Sequence, residues 1–189
     1  MDKHDNNDKT IFGFWVYLMT DLVMFAALFA TFAVLRNNTF GGPQAGELFS
    51  LPFALSETLI LLTSSFTCGL GILSARSGDK NKTILLFAST FVLGTAFLAM
   101  ELSEFSHLIS EGNGFQRSAF LSSFFTLVGT HGLHIAAGLV WMGILIVRIL
   151  KRGLTDSVLR KLTLLSLFWH FLDIVWIFIF SIVYLIGVI

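Results

Sequence analysis

Long runs of apolar residues, separated by short charged segments, dominate the chain. Five runs are long enough to cross the ~30 Å hydrocarbon layer of a membrane, which takes about 20 residues in an α-helix. No stretch alternates apolar and polar residues as membrane barrel strands do, so the pattern predicts an all-α membrane bundle. The five predicted helices, helices 1 to 5 in chain order, are Phe12–Leu35, Phe53–Ala75, Thr83–Ile109, Ala119–Val147 and Leu162–Ile189.

The composition fits a membrane protein and excludes a soluble one. Of the 189 residues, 55% are hydrophobic and 13% are charged, which is about half the charged fraction of an ordinary soluble domain. Twelve basic residues balance twelve acidic ones, so no excess of positive charge points to nucleic acid. The single cysteine, Cys68, cannot form an internal disulfide or a thiolate metal site. We predict a polar cytoplasmic tail over residues 1–11 and a single transmembrane domain over residues 12–189.

The basic residues lie mainly on one side of the predicted bundle. Ten of the twelve stand before helix 1, between helices 2 and 3, or between helices 4 and 5. Only Arg36 and Arg117 fall on the opposite side. Because short cytoplasmic segments are enriched in Lys and Arg, we expect the N-terminus in the cytoplasm and the C-terminus in the periplasm.

Ionisable residues within a membrane span cost free energy, so each of them is expected to have a structural or functional role. A rise of about 1.5 Å per residue places Asp21, His134 and Asp173 about 18 to 21 Å from the cytoplasmic ends of their helices. At i,i+3 spacing, His131 shares a helix face with His134, and His170 shares one with Asp173. Because helices 4 and 5 are consecutive, we predict that His134 is the partner of Asp173. Asp21 then has no basic partner, and we expect it to be neutral or to meet a polar group of a neighbouring subunit.

Three interpretations of these five buried polar residues stay open. The first is a network of interhelical hydrogen bonds. The second is a metal or haem site, since imidazole suits iron, copper and zinc, with His170 opposite His131 or His134. The third is a proton or solute pathway. Transporters use helices interrupted near the membrane centre, whereas the prolines, Pro43 and Pro52, lie in or beside a loop.

A second polar group lies near the outer surface. Glu57 and Glu101 each stand about 28 Å along their helices from the nearest cytoplasmic basic residue. Ion pairs and lipid headgroup contacts at helix ends are one interpretation, and a paired-carboxylate proton site is the other. If Glu57 and Glu101 have no partner, we expect them to be protonated. The whole outer group comprises Glu57, Glu101, Glu104, His107, Arg36 and Arg117.

Five segments of the chain together resemble one known family. They are WVYLMTDLVMF (Trp15–Phe25), ETLILLTSS (Glu57–Ser65), MELSEF (Met100–Phe105), GTHGLH (Gly129–His134) and FWHFLDIVW (Phe168–Trp176). These segments resemble subunit III of the haem-copper respiratory oxidases, and the resemblance extends from Gly13 to the C-terminus. The five-helix form, RGLT (Arg152–Thr155) and SLFWHFLD are similar to the bacterial ubiquinol oxidase branch of that family, of the cytochrome bo type.

The resemblance implies a non-catalytic subunit of a proton-pumping terminal oxidase in the bacterial inner membrane. Such a subunit holds no haem or copper itself, packs against the catalytic haem-copper subunit I and other oxidase subunits, and binds phospholipid. It stabilises the complex and supports proton uptake. Many relatives in cytochrome c oxidases carry Glu, a carboxylate that a carbodiimide can modify, where this chain has Asp21. A transmembrane haem b carrier and a cytochrome c oxidase subunit III remain the alternatives.

Overall fold

Five long α-helices form the molecule, which is represented by a computed structural model. The structure describes the backbone of residues 2–39, 41, 48 and 50–188, and the side chains of residues 9–39, 41, 48 and 50–187. All five helices are long and apolar enough to cross a membrane, so the predicted all-α bundle with five membrane-spanning helices is confirmed. The helices are α1 (Asp2–Leu35), α2 (Leu51–Arg76), α3 (Lys80–Ser110), α4 (Ala119–Arg152) and α5 (Asp156–Ile179).

The helices extend beyond the apolar runs that predicted them. Helix α1 begins at Asp2, within the segment predicted as a polar tail. Helix α4 continues to Arg152, and α5 begins at Asp156, so the turn between them is short. Hydropathy marks only the part of a helix that lies in hydrocarbon, whereas backbone hydrogen bonding continues until a cap or turn residue ends it. Of the predicted loop Asn37–Pro52, residues 40, 42–47 and 49 lie outside the described residues.

Side-chain caps fix the starts of three helices. The Asp79 carboxylate accepts a hydrogen bond from the Lys82 backbone N–H at 3.1 Å, and its other oxygen lies 3.3 Å from the Lys82 ammonium. The backbone hydrogen bond is the main reason why the pKa of Asp79 lies below its ordinary value of 3.8. Ser118 and Thr155 cap α4 and α5 in the same way. These caps set the short connections, and therefore which helices lie side by side.

Four helices surround the core, and the remaining helix lies outside them. Helix α2 packs on α3, α3 on α4, α4 on α5, and α5 back on α2, whereas α1 lies against α4 and α5. Large aromatic side chains fill the centre, with Trp169, Trp176 and Phe97 almost completely buried. Two glycines make room for the Trp169 indole, since a Cβ at Gly94 or Gly138 would lie 2.8 Å or 3.1 Å from it. Close helix approach at small residues is typical of membrane bundles.

The last helix changes its pitch near its end. After Ile179 the chain continues as a π-helical segment, Phe180–Leu185, followed by a short α-helical turn. A π-helix places more residues in each turn than an α-helix does. This wider segment buries Val183 and Tyr184 against the bundle. The sequence pattern predicted an uninterrupted α-helix over these residues.

Candidate functional site

The central polar pair joins α1 to α4. The His134 Nε2 atom lies 3.7 Å from the Asp21 Oδ2 atom, and both side chains are largely buried. The other ring nitrogen, Nδ1, lies 2.8 Å from the Thr130 carbonyl oxygen. A carbonyl only accepts hydrogen bonds, so Nδ1 carries a proton and Nε2 faces the carboxyl group. At 3.7 Å the pair is an electrostatic contact and not a hydrogen bond, and Asp21 Oδ2 has no hydrogen-bond partner among the described residues.

This geometry corrects the predicted partners of the two buried aspartates. The prediction that His134 is the partner of Asp173, and that Asp21 has no basic partner, is wrong because His134 faces α1. The groups that interact electrostatically with the Asp173 carboxyl are Ser65 on α2 and His170 on its own helix. The error arose because helices that follow one another were assumed to turn their polar faces toward each other.

The two other intramembrane histidines have separate surroundings. The His131 ring is fully buried, 5.3 Å from the Trp176 ring and 6.0 Å from the Phe97 ring. Neither of its nitrogens has a hydrogen-bond partner in the described part of the chain. By contrast, His170 lies 2.6 Å from the Ser166 carbonyl oxygen and is exposed.

The rings of these histidines do not converge. The Nε2 atom of His170 lies against α2, where a Cβ at Gly69 would stand 3.8 Å from it. His134 instead lies against α1, where Asp21 is its partner. Ligation of a haem by two histidines needs imidazoles that face each other across the iron, so this geometry does not favour the haem interpretation. Among the described residues, no group of three or more His, Cys, Asp or Glu side chains is arranged to hold a metal ion.

Three glutamates and a tyrosine come together at the end of the bundle where α2 begins, α3 ends and the π-helical segment follows α5. We call Glu57, Glu101, Glu104 and Tyr184 the carboxylate cluster. The Tyr184 hydroxyl donates a hydrogen bond to Glu104 Oε2 at 2.7 Å. The Glu57 side chain is 0% exposed and that of Glu101 is 2% exposed. Both Glu57 oxygens and Glu101 Oε2 lack a hydrogen-bond partner among the described residues.

A glycine of the GTHGLH segment gives the cluster its space. A Cβ atom at Gly132 would lie 2.5 Å from Glu101 Oε1 and 3.0 Å from its Cδ. The carboxyl group of Glu101 therefore packs directly on the α4 backbone, one residue from His131. Only glycine leaves room for this contact, which explains a small residue at a buried helical position.

The remaining predicted members of the outer group lie apart from these carboxylates. His107 forms an exposed pair with Glu111, with 3.3 Å between His107 Nε2 and Glu111 Oε1. Arg117 donates a hydrogen bond to the Gly112 carbonyl oxygen at 3.2 Å. Over the described residues, no ion pair joins Arg36, Arg117 or His107 to the carboxylate cluster. The structure thus brings together the three glutamates and leaves the basic residues at the surface.

Tyr184 and two tryptophan hydrogen bonds were not predicted from the sequence. Tyr184 lies about 35 Å along its helix from Lys161, and Glu104 lies about 33 Å from Lys82, so a depth estimate could have matched them. The Trp169 indole N–H donates to Ser64 Oγ, and the Trp176 indole N–H donates to Thr58 Oγ1, each at 3.0 Å. These two buried bonds connect α5 to α2, and spacing along the sequence gives no signal for them.

Five spanning helices with buried polar contacts between them define the chain as a multi-pass α-helical membrane protein. The family described as cytochrome c oxidase subunit III matches residues 5–188. The chain belongs to the cytochrome c oxidase subunit III family, which confirms the resemblance seen in the sequence.

Individual relatives match over most of their length. Subunit 3 of the cytochrome bo(3) ubiquinol oxidase of Pseudomonas aeruginosa is 58% identical, over 97% of this chain and 88% of that protein. Cytochrome c oxidase subunit 3 of Bacillus sp. PS3 is 47% identical, over 94% of this chain and 86% of that protein. Quinol oxidase subunit 3 of Bacillus subtilis is 45% identical, over 94% of this chain and 87% of that protein.

Proposed function

We propose that this chain is the non-catalytic subunit III of a bacterial, proton-pumping terminal oxidase that oxidises ubiquinol and reduces O2 to water. The observation that carries the proposal is the 58% identity to a ubiquinol oxidase subunit 3 over nearly all of both chains. The match to a cytochrome c oxidase subunit 3, at 47% identity, is lower. Ubiquinol is therefore the favoured electron donor of the complex.

The surroundings of the histidines support a subunit without a redox centre of its own. His134 is engaged by Asp21, and His131 is enclosed by aromatic rings. His170 lies against a carbonyl of its own helix. These contacts serve packing and hydrogen bonding between or within helices. Haem and copper then belong to the catalytic subunit I of the same complex.

The position of α1 supports docking against other oxidase subunits. This helix lies outside the four-helix core and contacts mainly α4 and α5. Its outer surface is apolar, and Phe12, Val23 and Val34 are each at least 70% exposed. A large apolar face suits a partner helix or lipid within the membrane. In this role the subunit stabilises the complex, binds phospholipid and supports proton uptake by the catalytic subunit.

The orientation of the chain forms part of the proposal. With its N-terminus in the cytoplasm and its C-terminus in the periplasm, the chain spans the inner membrane with ten of its twelve basic residues on the cytoplasmic side. Single cysteines at exposed turns test this after Cys68 is replaced by Ala. A membrane-impermeant maleimide should label Asn38→Cys from the periplasm and Ser77→Cys only after permeabilisation. Labelling of both from one side contradicts the orientation.

Purification through an affinity tag on this chain tests the functional assignment. We expect a haem-copper catalytic subunit to co-purify, and the complex to consume O2 with ubiquinol but not with reduced cytochrome c as electron donor. Oxidation of cytochrome c by the purified complex would assign the chain to the cytochrome c branch instead. Purification of the chain without any haem-copper subunit would refute the proposal.

A further inference from the structure

The His170 side chain is exposed in the middle of a membrane span. It stands nine residues past Lys161, about 13 Å along α5 from that lysine, and fifteen residues before Leu185, where the span ends. By contrast, His131 is fully buried and His134 is largely buried. Ionisable residues within spans almost always face the bundle interior or pair with another group. The exposure of His170 therefore indicates a partner outside this chain.

The helix itself supplies a partner to one nitrogen of the His170 ring. Nδ1 lies 2.6 Å from the Ser166 carbonyl oxygen, and because a carbonyl only accepts, Nδ1 carries a proton. Nε2 is then a hydrogen-bond acceptor, and no donor reaches it from the described residues. Exposed hydroxyls in the spans differ, since Thr63 and Ser181 donate to carbonyl oxygens of their own helices. A hydroxyl is satisfied in this way, whereas the imidazole keeps one free acceptor.

His170 lies on an exposed surface formed by α2 and α5, which we call the α2–α5 face. A Cβ at Gly69 would stand 3.8 Å from Nε2, so α2 lies beside the ring and places no side chain over it at this glycine. Exposed apolar residues at three- and four-residue spacing continue the face along both helices. They are Leu62, Phe66 and Leu73 on α2, and Ile174 and Ile177 on α5.

Polar groups lie beneath His170 on this face. Ser65 and Asp173 are almost completely buried, and Ser65 Oγ and Asp173 Oδ1 have no hydrogen-bond partner among the described residues. The Asp173 carboxyl group interacts electrostatically with both Ser65 and His170. A lipid acyl chain offers no hydrogen bond to such a group of residues, whereas a polar side chain of a neighbouring helix does. The α2–α5 face therefore favours a protein partner over lipid.

We propose that the α2–α5 face packs against a transmembrane helix of a different subunit of the oxidase, and that this helix presents a hydrogen-bond donor to His170 Nε2. The inference rests on the proposed function, which places the chain in a complex, and it names a surface and the chemistry of its partner. A second copy of this chain related by a twofold axis would bring one Nε2 acceptor opposite another, so the geometry favours a different subunit.

Substitutions of His170 in the purified complex test the hydrogen bond. His170→Leu removes the acceptor, whereas His170→Gln keeps a side-chain oxygen that can accept from the same donor. We expect His170→Leu to raise the dissociation constant of this chain from its complex in SDS about threefold, which is the effect of an average hydrogen bond between membrane helices. His170→Gln should dissociate like the wild type. Thr63→Val is the matched control, and it should also match the wild type, because the exposed Thr63 hydroxyl bonds to its own helix.

Photo-crosslinking in membranes identifies what covers the face. A benzophenone amino acid at Ile174, one turn from His170, should crosslink to a different subunit of the complex. Crosslinks to lipid alone, or to a second copy of this chain, would overturn the proposal. Equal dissociation of the wild type and His170→Leu would also overturn it, as would an equal loss with His170→Gln or Thr63→Val. Each preparation is checked for the haem-copper subunit, because its presence without these effects refutes the inference alone, whereas its absence refutes the proposed function.

Discussion

Replacing Gly132 by alanine should disturb the carboxylate cluster. The new Cβ would lie 2.5 Å from Glu101 Oε1 and 3.0 Å from Cδ and Oε2, so the whole carboxyl group has to move within a buried site. Overpacking of this kind costs about 1–3 kcal/mol, and the higher helix propensity of alanine returns about 0.5–1 kcal/mol. The net expectation is a loss of about 1–2 kcal/mol in the stability of the subunit within its complex.

Gly129 provides a matched control from the same segment. A Cβ at Gly129 would stand 3.7 Å from the Phe105 ring, which is an ordinary van der Waals contact. Gly129→Ala should therefore leave stability unchanged or raise it slightly. The measurement is the SDS concentration at which half of the subunit dissociates from the purified complex. Gly132→Ala should lower this midpoint, and Gly129→Ala should not.

A double-mutant cycle identifies the cause of the loss. In a Glu101→Ala background the atoms that would collide with the new Cβ are absent, so Gly132→Ala should cost little there. The two substitutions should therefore be coupled by about 1 kcal/mol or more, as expected for residues in contact. Equal costs of Gly132→Ala with and without Glu101 would contradict a collision between the new Cβ and the Glu101 carboxyl group.

Three further predictions follow from individual contacts. His131→Phe should change subunit retention in SDS by less than about 1 kcal/mol, because the ring packs among aromatic side chains without hydrogen bonds. By contrast, His134→Phe should lower retention, since Asp21 then loses its partner. Ser64→Ala should cost about 1–3 kcal/mol in the same assay, because the Trp169 indole N–H is left buried and unpaired. Because its pKa is lowered, the ionised Asp79 carboxylate stabilises the start of α3 at pH values above the ordinary pKa of 3.8. This contribution is lost as the pH falls through the lower pKa of the folded state. Acid-induced dissociation should show this loss in the wild type and not in Asp79→Asn, whereas identical acid profiles would contradict it.

The number and order of the helices could be predicted because the membrane restricts which backbone structures can cross it. A span needs about 20 apolar residues, and its backbone groups must be satisfied within the helix. The apolar runs therefore identified all five helices. The apolar runs did not predict where the helices begin and end. Helix α1 begins at Asp2 and α5 begins at Asp156, because polar residues continue each helix beyond its apolar run.

The polar contacts could be predicted only in part, because depth along a helix is one coordinate and rotation about its axis is another. Counting residues correctly placed Asp21 and His134 at similar depth, and they lie 3.7 Å apart. The same counting placed Asp173 at the depth of Asp21, and the prediction that Asp173 is the partner of His134 is wrong. Which face of α4 turns toward α1 depends on the packing of all five helices together. The π-helical segment that buries Tyr184 is likewise set by packing and left no sequence signal.

The proposed role of this chain is that of a subunit without a redox centre in a ubiquinol oxidase. It is tested most directly by comparing the complex purified with and without this chain, measuring the visible haem spectrum and ubiquinol-driven O2 consumption over time. We expect the same haem spectrum per catalytic subunit in both preparations, with activity that declines faster when the chain is absent. Loss of a haem signal in proportion to the missing chain, or equally sustained activity in both preparations, would contradict it.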